Sequence, residues 1–333
     1  MSCIENINKI IVPNDVLNTL TSVYKYIGRN EQYKKIANSD YKNILNQTIE
    51  RDAFFLSKLI ELDVSDNRLR LIIMKNSQPR NRDEKVLYNI KEVLISFHDN
   101  PKKFGLSSAE LYNMINYIFP SQNIKYVDKK EKKISAYYQT DNVSKRKEID
   151  NLNEVNVSDS EKIILALNYF IDIWVIKPLN SYNDSMAYLV LYLMLLKSDV
   201  RALDYVSLFE YIYLNKNEFD NSIKGAIYNW NEGLAQIMVF VRSMMNIILQ
   251  MYEKTDKVMQ AYAVEVNAPK GDNIENSILN ILPNIFTKDD IRAIHPFVSE
   301  STINRTLVKL RDEGIIKPIG KGRSAKWLKI GLK

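Results

Sequence analysis

Ile176-Lys177-Pro178-Leu179-Asn180-Ser181-Tyr182-Asn183-Asp184-Ser185 is a polar loop set between two dry segments. Upstream, Ile163–Ile176 is apolar on nearly every helical face. Downstream, Met186–Leu196 is the longest apolar run in the chain. Helices wet on no side belong at the centre of a bundle. The second run is closed by Asp184 and Lys197 and is well short of the ~20 residues a bilayer span needs, so it reads as a core helix with no membrane partner. A polar loop between two such helices, at the N-terminus of one, is a common place for an anion, because free backbone N–H groups and the helix dipole point into it.

Outward from this centre the pattern stays helical. Apolar residues recur at three- and four-residue spacing in Val16–Ile27, Ala53–Ile60, Val86–Phe97 and Leu111–Ile118, and a long helix is expected from about Trp230 to Tyr262. Ile124–Gln139 breaks the rule. Two short β-prone runs flank the charged stretch Asp128–Lys133 and read as a hairpin. Asp141–Asn156 reads as a polar connector. Proline and glycine interrupt the helical pattern at Asn267-Ala268-Pro269-Lys270-Gly271-Asp272 and mark a boundary. The expected organisation is an N-terminal helical segment over 1–48, a helical domain over 49–265 and a small module over 266–333.

Composition excludes several chemistries. The 333 residues are 46% hydrophobic and 26% charged, values of a folded globular chain. Only 9 are glycine, and none lies between Gly105 and Gly225, so a Rossmann fingerprint, a P-loop or a glycine-rich kinase loop is excluded. Cys3 is the only cysteine, and His98 and His295 are the only histidines. A disulfide framework and a Cys/His metal site are therefore excluded, and no metal ligands are expected. The first residues lack the basic start and apolar stretch of a signal peptide, which leads us to expect a cytoplasmic protein. His98, near the end of a helix, reads as a C-terminal cap or a surface residue.

The C-terminal module carries the charge. From Thr287 to Lys333 there are eleven Lys/Arg against five Asp/Glu, a surplus equal to the net charge of +6 of the whole chain. Glu275–Phe286 reads as a first helix. Thr287 with Asp290 three residues on resembles a capping box that opens a second, and Ser299 caps a third, which Gly314 ends. Ile315–Ile319 and Ala325–Ile330 then flank the basic turn Gly320-Lys321-Gly322-Arg323-Ser324. This order is that of a winged helix-turn-helix, whose third helix enters the major groove of DNA and whose wing meets the backbone. Ser301, Thr302, Asn304, Arg305 and Lys309 lie off the apolar stripe of the third helix and are the candidate DNA-facing residues. Lys321, Arg323 and Lys326 are the candidate phosphate contacts. DNA is the expected partner. The alternative use of such a module is to pair two copies of the chain or to cover the helical domain.

The central loop and its surroundings resemble the Fic (Fido) family, whose signature at this position is H-P-F-x-D-G-N-G-R. Ser57-Lys58-Leu59-Ile60-Glu61-Leu62 resembles the family's inhibitory S-x-x-x-E-[GN] helix, which makes Ser57 and Glu61 inhibitory candidates. The hairpin sits where the family's substrate-docking flap lies, and Val206–Ile212 and the stretch around Trp230 resemble the helices after the motif. The fold class implied is mainly α: a Fic-like bundle with a small β-hairpin flap, followed by the winged helix-turn-helix. The activity implied is transfer of AMP or a related group from a nucleotide to a hydroxyl of a target protein.

The departures fall where that chemistry would be. The family's general-base histidine corresponds to Lys177, its metal-holding aspartate to Ser181, its two glycines to Tyr182 and Asp184, and its arginine to Ser185. Pro178 and Asn183 remain, and Leu179 stands for phenylalanine. A lysine is protonated at neutral pH and is a poor general base. Without the carboxylate and the arginine, a triphosphate loses its main charge partners, and electrostatic stabilisation is the chief means of such transfers. ATP and Mg²⁺ are implied only if this altered site still binds nucleotide. The reading is an inactive Fic-like scaffold linked to DNA. The alternatives are an altered transferase using Lys177, or a plain winged-helix regulator with a helical ligand or dimerisation domain. Glu61 could pair with Lys177 in place of the missing arginine. Ile294-His295-Pro296-Phe297 spells the first letters of the signature but continues as Val298-Ser299-Glu300-Ser301, and it reads as turn chemistry.

Overall fold

A computed structural model describes residues 2–127, 144–266, 270–295, 298–320 and 326–330. Helices α1 (Asn14–Ile27), α2 (Asn30–Ala37), α3 (Tyr41–Leu59), α4 (Asp66–Lys75), α5 (Arg82–Asp99) and α6 (Ser108–Ile118) precede the central pair. Then come α7 (Lys145–Glu154), α8 (Lys162–Ile176), α9 (Asn183–Lys197), α10 (Leu208–Leu214), α11 (Lys216–Ala226) and α12 (Ile237–Val266). The chain ends as α13 (Lys270–Asn280), β1 (Ile285–Phe286), α14 (Lys288–Ile294), α15 (Glu300–Asp312), β2 (Ile316–Ile319) and β3 (Lys326–Lys329).

Two compact units result: Met1–Asn30 with Leu45–Thr255, and Glu31–Ile44 with Asp256–Lys333. In the first, α8 packs along α9. Every residue from Met186 to Leu196 on α9 is buried, and so are Ile163, Phe170, Ile173 and Ile176 on α8. The dryness of the two sequence runs is thus the cause of their central place, since each fully buried large side chain contributes roughly 1.5–3 kcal/mol. Glu161 starts α8 by accepting from the N–H groups of Ile163 and Ile164 at 3.0 and 2.6 Å. Phe170 stacks on Phe240 with centroids 5.0 Å apart and packs against Trp174, Tyr188 and Phe219. Among the described residues no helix is long and apolar enough to cross a membrane.

The second unit has its own core of Ile274, Ile278, Phe286, Ile291, Ile303, Leu307, Leu310, Ile316 and Trp327. Its antiparallel sheet runs β1-β3-β2, pairing Phe286 with Trp327 and Pro318 with Trp327 on opposite edges. Thr287 and Asp290 form a reciprocal capping box at the start of α14. Ser299 caps α15, which ends before Gly314 in the left-handed conformation (φ 72°).

The structure corrects three sequence expectations. The polar connector contains a helix, α7, which buries only Ile149 and Leu152; two apolar residues are too few to show a helical period. Ile285 and Phe286 leave the first C-terminal helix and pair with β3, because strand pairing satisfies their backbone and buries Phe286. The long helix starts at Ile237, and Trp230–Glu232 is a short 3-10 turn. Residues 31–44 group with the C-terminal unit, where Tyr33 donates to Asp256 at 2.9 Å and Tyr262 bonds to Asp40. Most of the expected hairpin lies outside the described residues.

Candidate functional site

The loop between α8 and α9 is fixed by its own backbone and by residues 123–127. Lys177 ends α8 in the left-handed conformation (φ 44°), and Tyr182 opens α9 in the same region (φ 61°). Between them Tyr126 and Leu179 form an antiparallel bridge. Val127 N–H donates to Pro178 O at 2.8 Å, and Asn180 N–H to Lys125 O at 3.0 Å. The Asn180 amide adds bonds to Lys125 N–H at 3.0 Å and Asn123 O at 2.8 Å. Asn183 closes the loop from inside: its side chain accepts from Leu179 N–H at 2.9 Å and donates to Leu179 O at 2.6 Å. Pro178 is buried, Ser181 half-buried, and the carbonyl of Lys177 accepts from Lys145 Nζ at 2.9 Å.

A cavity of about 560 Å³ opens beside this loop, with Lys177, Tyr182, Asn183, Asp184 and Ser185 on its wall. Leu59, Ile60, Trp174, Tyr188, Ile223 and Ile227 supply an apolar lining, and Glu61, Lys216, Asp220 and Lys224 supply charge. Lys216 pairs with Asp220 at 2.9 Å. Burial, with the Asp220 and Asp184 carboxylates nearby, holds the Tyr188 hydroxyl well above the usual phenol range. Tyr182 does not fill the space. Its ring stacks on Phe119, 3.8 Å between centroids, and its hydroxyl bonds to Arg82.

The structure thus brings Glu61 to the motif positions. It stands two residues past the end of α3 with φ 56°, outside the helix that the resemblance implied, and makes no ion pair with Lys177 among the described residues. Ser57 is buried and donates to Phe54 O at 2.6 Å, off the cavity. Trp174, Tyr188, Lys216, Asp220, Lys224, Phe119 and Arg82 belong to the site without having been expected there from the sequence. Lys216, Asp220 and Lys224 recur every four residues on one face of α11, a signal present in the sequence. Phe119 and Arg82 had none, because only the tertiary fold sets them against Tyr182.

His98 corrects its expectation. It is not a surface residue: its side chain is 2% exposed, with Nε2 2.8 Å from the Tyr192 hydroxyl and Nδ1 3.1 Å from Asp204. The tertiary fold buries the last turn of α5, which its local sequence could not reveal. Among the described residues no three His, Cys, Asp or Glu side chains gather as a metal-binding group.

In the C-terminal unit, Ser301, Arg305 and Lys309 are exposed on α15, while Thr302 and Asn304 are half-buried. Lys309 Nζ is 2.8 Å from Glu275 Oε2. Lys326 opens β3, exposed, and Lys321 and Arg323 lie outside the described residues. His295 is buried at the end of α14, 2.8 Å from Ser277 Oγ.

No family model matches the chain, and no curated protein matches it. A crystal structure of a Fic family protein from Desulfovibrio desulfuricans G20 superposes with a TM-score of 0.56, covering 97% of this chain and 98% of that one. The chain has a Fic fold. At 12% identity the likeness is one of fold. On this Fic fold the charged cavity lining is Lys177, Lys216 and Lys224 against Glu61, Asp184 and Asp220, three of each sign. The lining carries no excess of positive charge, the feature that favours phosphate groups in sites for their transfer.

Proposed function

We propose that the N-terminal unit is a Fic-like scaffold that has lost group transfer, and that the C-terminal unit is a winged helix-turn-helix that binds DNA. The observation that carries the first half is the balanced charge of the cavity, with Asp184 at the N-terminus of α9, where an anion would be expected. Left-handed Tyr182 supports it, since a side chain stands where the family motif has a glycine. The basic surplus after Thr287 and the exposed Arg305 support the second half.

The test is incubation with labelled ATP and Mg²⁺. The proposal expects no ordered nucleotide binding and no incorporation of AMP. Incorporation that disappears in Lys177→Ala would overturn it and favour the second reading, an altered transferase, for which the open cavity beside Lys177 speaks. Restoring the motif with Lys177→His, Ser181→Asp, Tyr182→Gly, Asp184→Gly and Ser185→Arg asks whether the rest of the site is intact.

A further inference from the structure

Four polar side chains meet in the interior of the N-terminal unit, away from the cavity lining. The Tyr192 hydroxyl, on α9, lies 3.0 Å from Asp52 Oδ2 on α3 and 2.8 Å from His98 Nε2 on α5. His98 Nδ1 lies 3.1 Å from Asp204 Oδ1, at the end of the short 3-10 turn Arg201–Asp204. The other oxygen of Asp52 accepts from Ser207 Oγ at 2.7 Å and Phe209 N–H at 3.0 Å. Asp52 and Tyr192 are fully buried and Asp204 nearly so.

Donor counting constrains this chain. The three contacts Asp52–Tyr192, Tyr192–His98 and His98–Asp204 need three hydrogens, and the tyrosine brings one. Two arrangements supply the rest. In one, both carboxylates are ionised and His98 donates from both nitrogens. In the other, the Asp52 carboxyl donates to the Tyr192 oxygen, Tyr192 donates to Nε2, and His98 keeps only the hydrogen it gives Asp204. The two hold the same number of protons and interconvert by shifting hydrogens along the chain. Removal of one proton to solvent leaves two hydrogens for three contacts. One pair of acceptors must then face each other in a dry interior, where an unmade hydrogen bond is costly.

We infer that Asp52, Tyr192, His98 and Asp204 form a one-proton clasp that binds α3, α5, α9 and the Arg201–Asp204 turn together while the proton is held, and loosens them as it is lost on rising pH. Charged neighbours bear on both ends. Glu210 on α10, paired with Arg51 on α3, faces Asp52 and favours its protonation, and Arg201 Nη1 lies 3.8 Å from Asp204 at the other end. Burial pushes the Asp52 carboxyl up to about 7, against the hydrogen bonds from Phe209, Ser207 and Tyr192. A folded value above the unfolded one gives stability that is present at acid pH and lost as pH rises through about 7. The cavity feels the loss, because α3 leads to Leu59, Ile60 and Glu61 on its wall and α9 carries Asn183, Asp184 and Tyr188.

The test is the thermal midpoint of the full chain as a function of pH in wild type and Asp52→Asn. Asparagine donates to the Tyr192 oxygen at every pH and so fixes the protonated arrangement. Between about pH 5.5 and about pH 8.5 the wild type should lose several degrees relative to the variant. Equal slopes in the two proteins would overturn the clasp. Should Asp52→Asn fail to fold, the His98 ring ¹⁵N shifts in wild type and Tyr192→Phe at one fixed pH decide: a different placement of the ring hydrogens is expected, and the same placement in both refutes the coupling.

Discussion

The ring of Tyr182 lies 3.8 Å from that of Phe119, with the planes 15° apart, while the Tyr182 backbone sits in the left-handed region at φ 61°. The stack therefore holds a conformation that an L side chain adopts at a cost of roughly 1–2 kcal/mol. Two opposed terms can be separated. Tyr182→Ala loses the stack and keeps the strain, so it should destabilise by ~2 kcal/mol. Tyr182→Gly loses the stack but relieves the strain, and should be more stable than the alanine variant by ~1 kcal/mol. Urea unfolding of the three proteins checks the order; an alanine variant as stable as the glycine one would remove the strain argument.

The aromatic centre of the bundle sets a second expectation. Phe170 is fully buried and touches Trp174, Tyr188, Phe219 and Phe240. Rings cannot collapse into the space it leaves, so Phe170→Ala should cost ~3–5 kcal/mol, near the top of the range for such truncations. The denaturation midpoint reads this directly, and Phe170→Leu should recover much of the loss.

What the sequence disclosed was what local physics determines. Two runs without a polar face had to be central, and Thr287 with Asp290 capped α14 as their spacing implied. Hidden were features created by meetings across the chain. α7 is too polar to announce itself, β1 exists only by pairing with β3, and His98 is buried because Tyr192 and Asp204, 94 and 106 residues away, close over it. The motif positions could be listed from sequence, but the face of α11 that charges the cavity could be placed only by the fold.

Asp172 gives a pH dependence of its own. Its carboxylate accepts from Cys3 N–H at 2.7 Å, Ile4 N–H at 2.9 Å and Trp230 Nε1 at 2.7 Å, tying the N-terminal residues to α8. Burial nevertheless outweighs these donors and raises its pKa to about 6. The folded value exceeds the unfolded one, so the stability linked to Asp172 is present under acid conditions and fades as pH rises through about 6. Asp172→Asn removes that slope but turns an amide donor toward one of the N–H groups, at a cost of ~1–3 kcal/mol. Denaturant curves at about pH 5 and about pH 8 should show a flatter profile for the variant than for wild type. Because Asp52 is unchanged in both, the difference belongs to Asp172.

Among the exposed cations of α15, Arg305 and Lys309 differ in their neighbours, and DNA binding should report it. Lys309 is held 2.8 Å from Glu275 on α13, whereas Arg305 projects from the same helix with no ion pair among the described residues. A cation that must first leave a carboxylate contributes less to phosphate binding than one already free to meet it. Arg305→Ala should therefore weaken duplex binding and lower the slope of log affinity against log salt by about 1. Lys309→Ala should lower that slope by less and loosen the α13–α15 contact, seen as a drop in thermal midpoint. Gel shifts over a salt series give both slopes. Equal slopes for wild type and Arg305→Ala would remove α15 from the DNA interface, and affinity independent of salt would remove DNA as the partner of this unit.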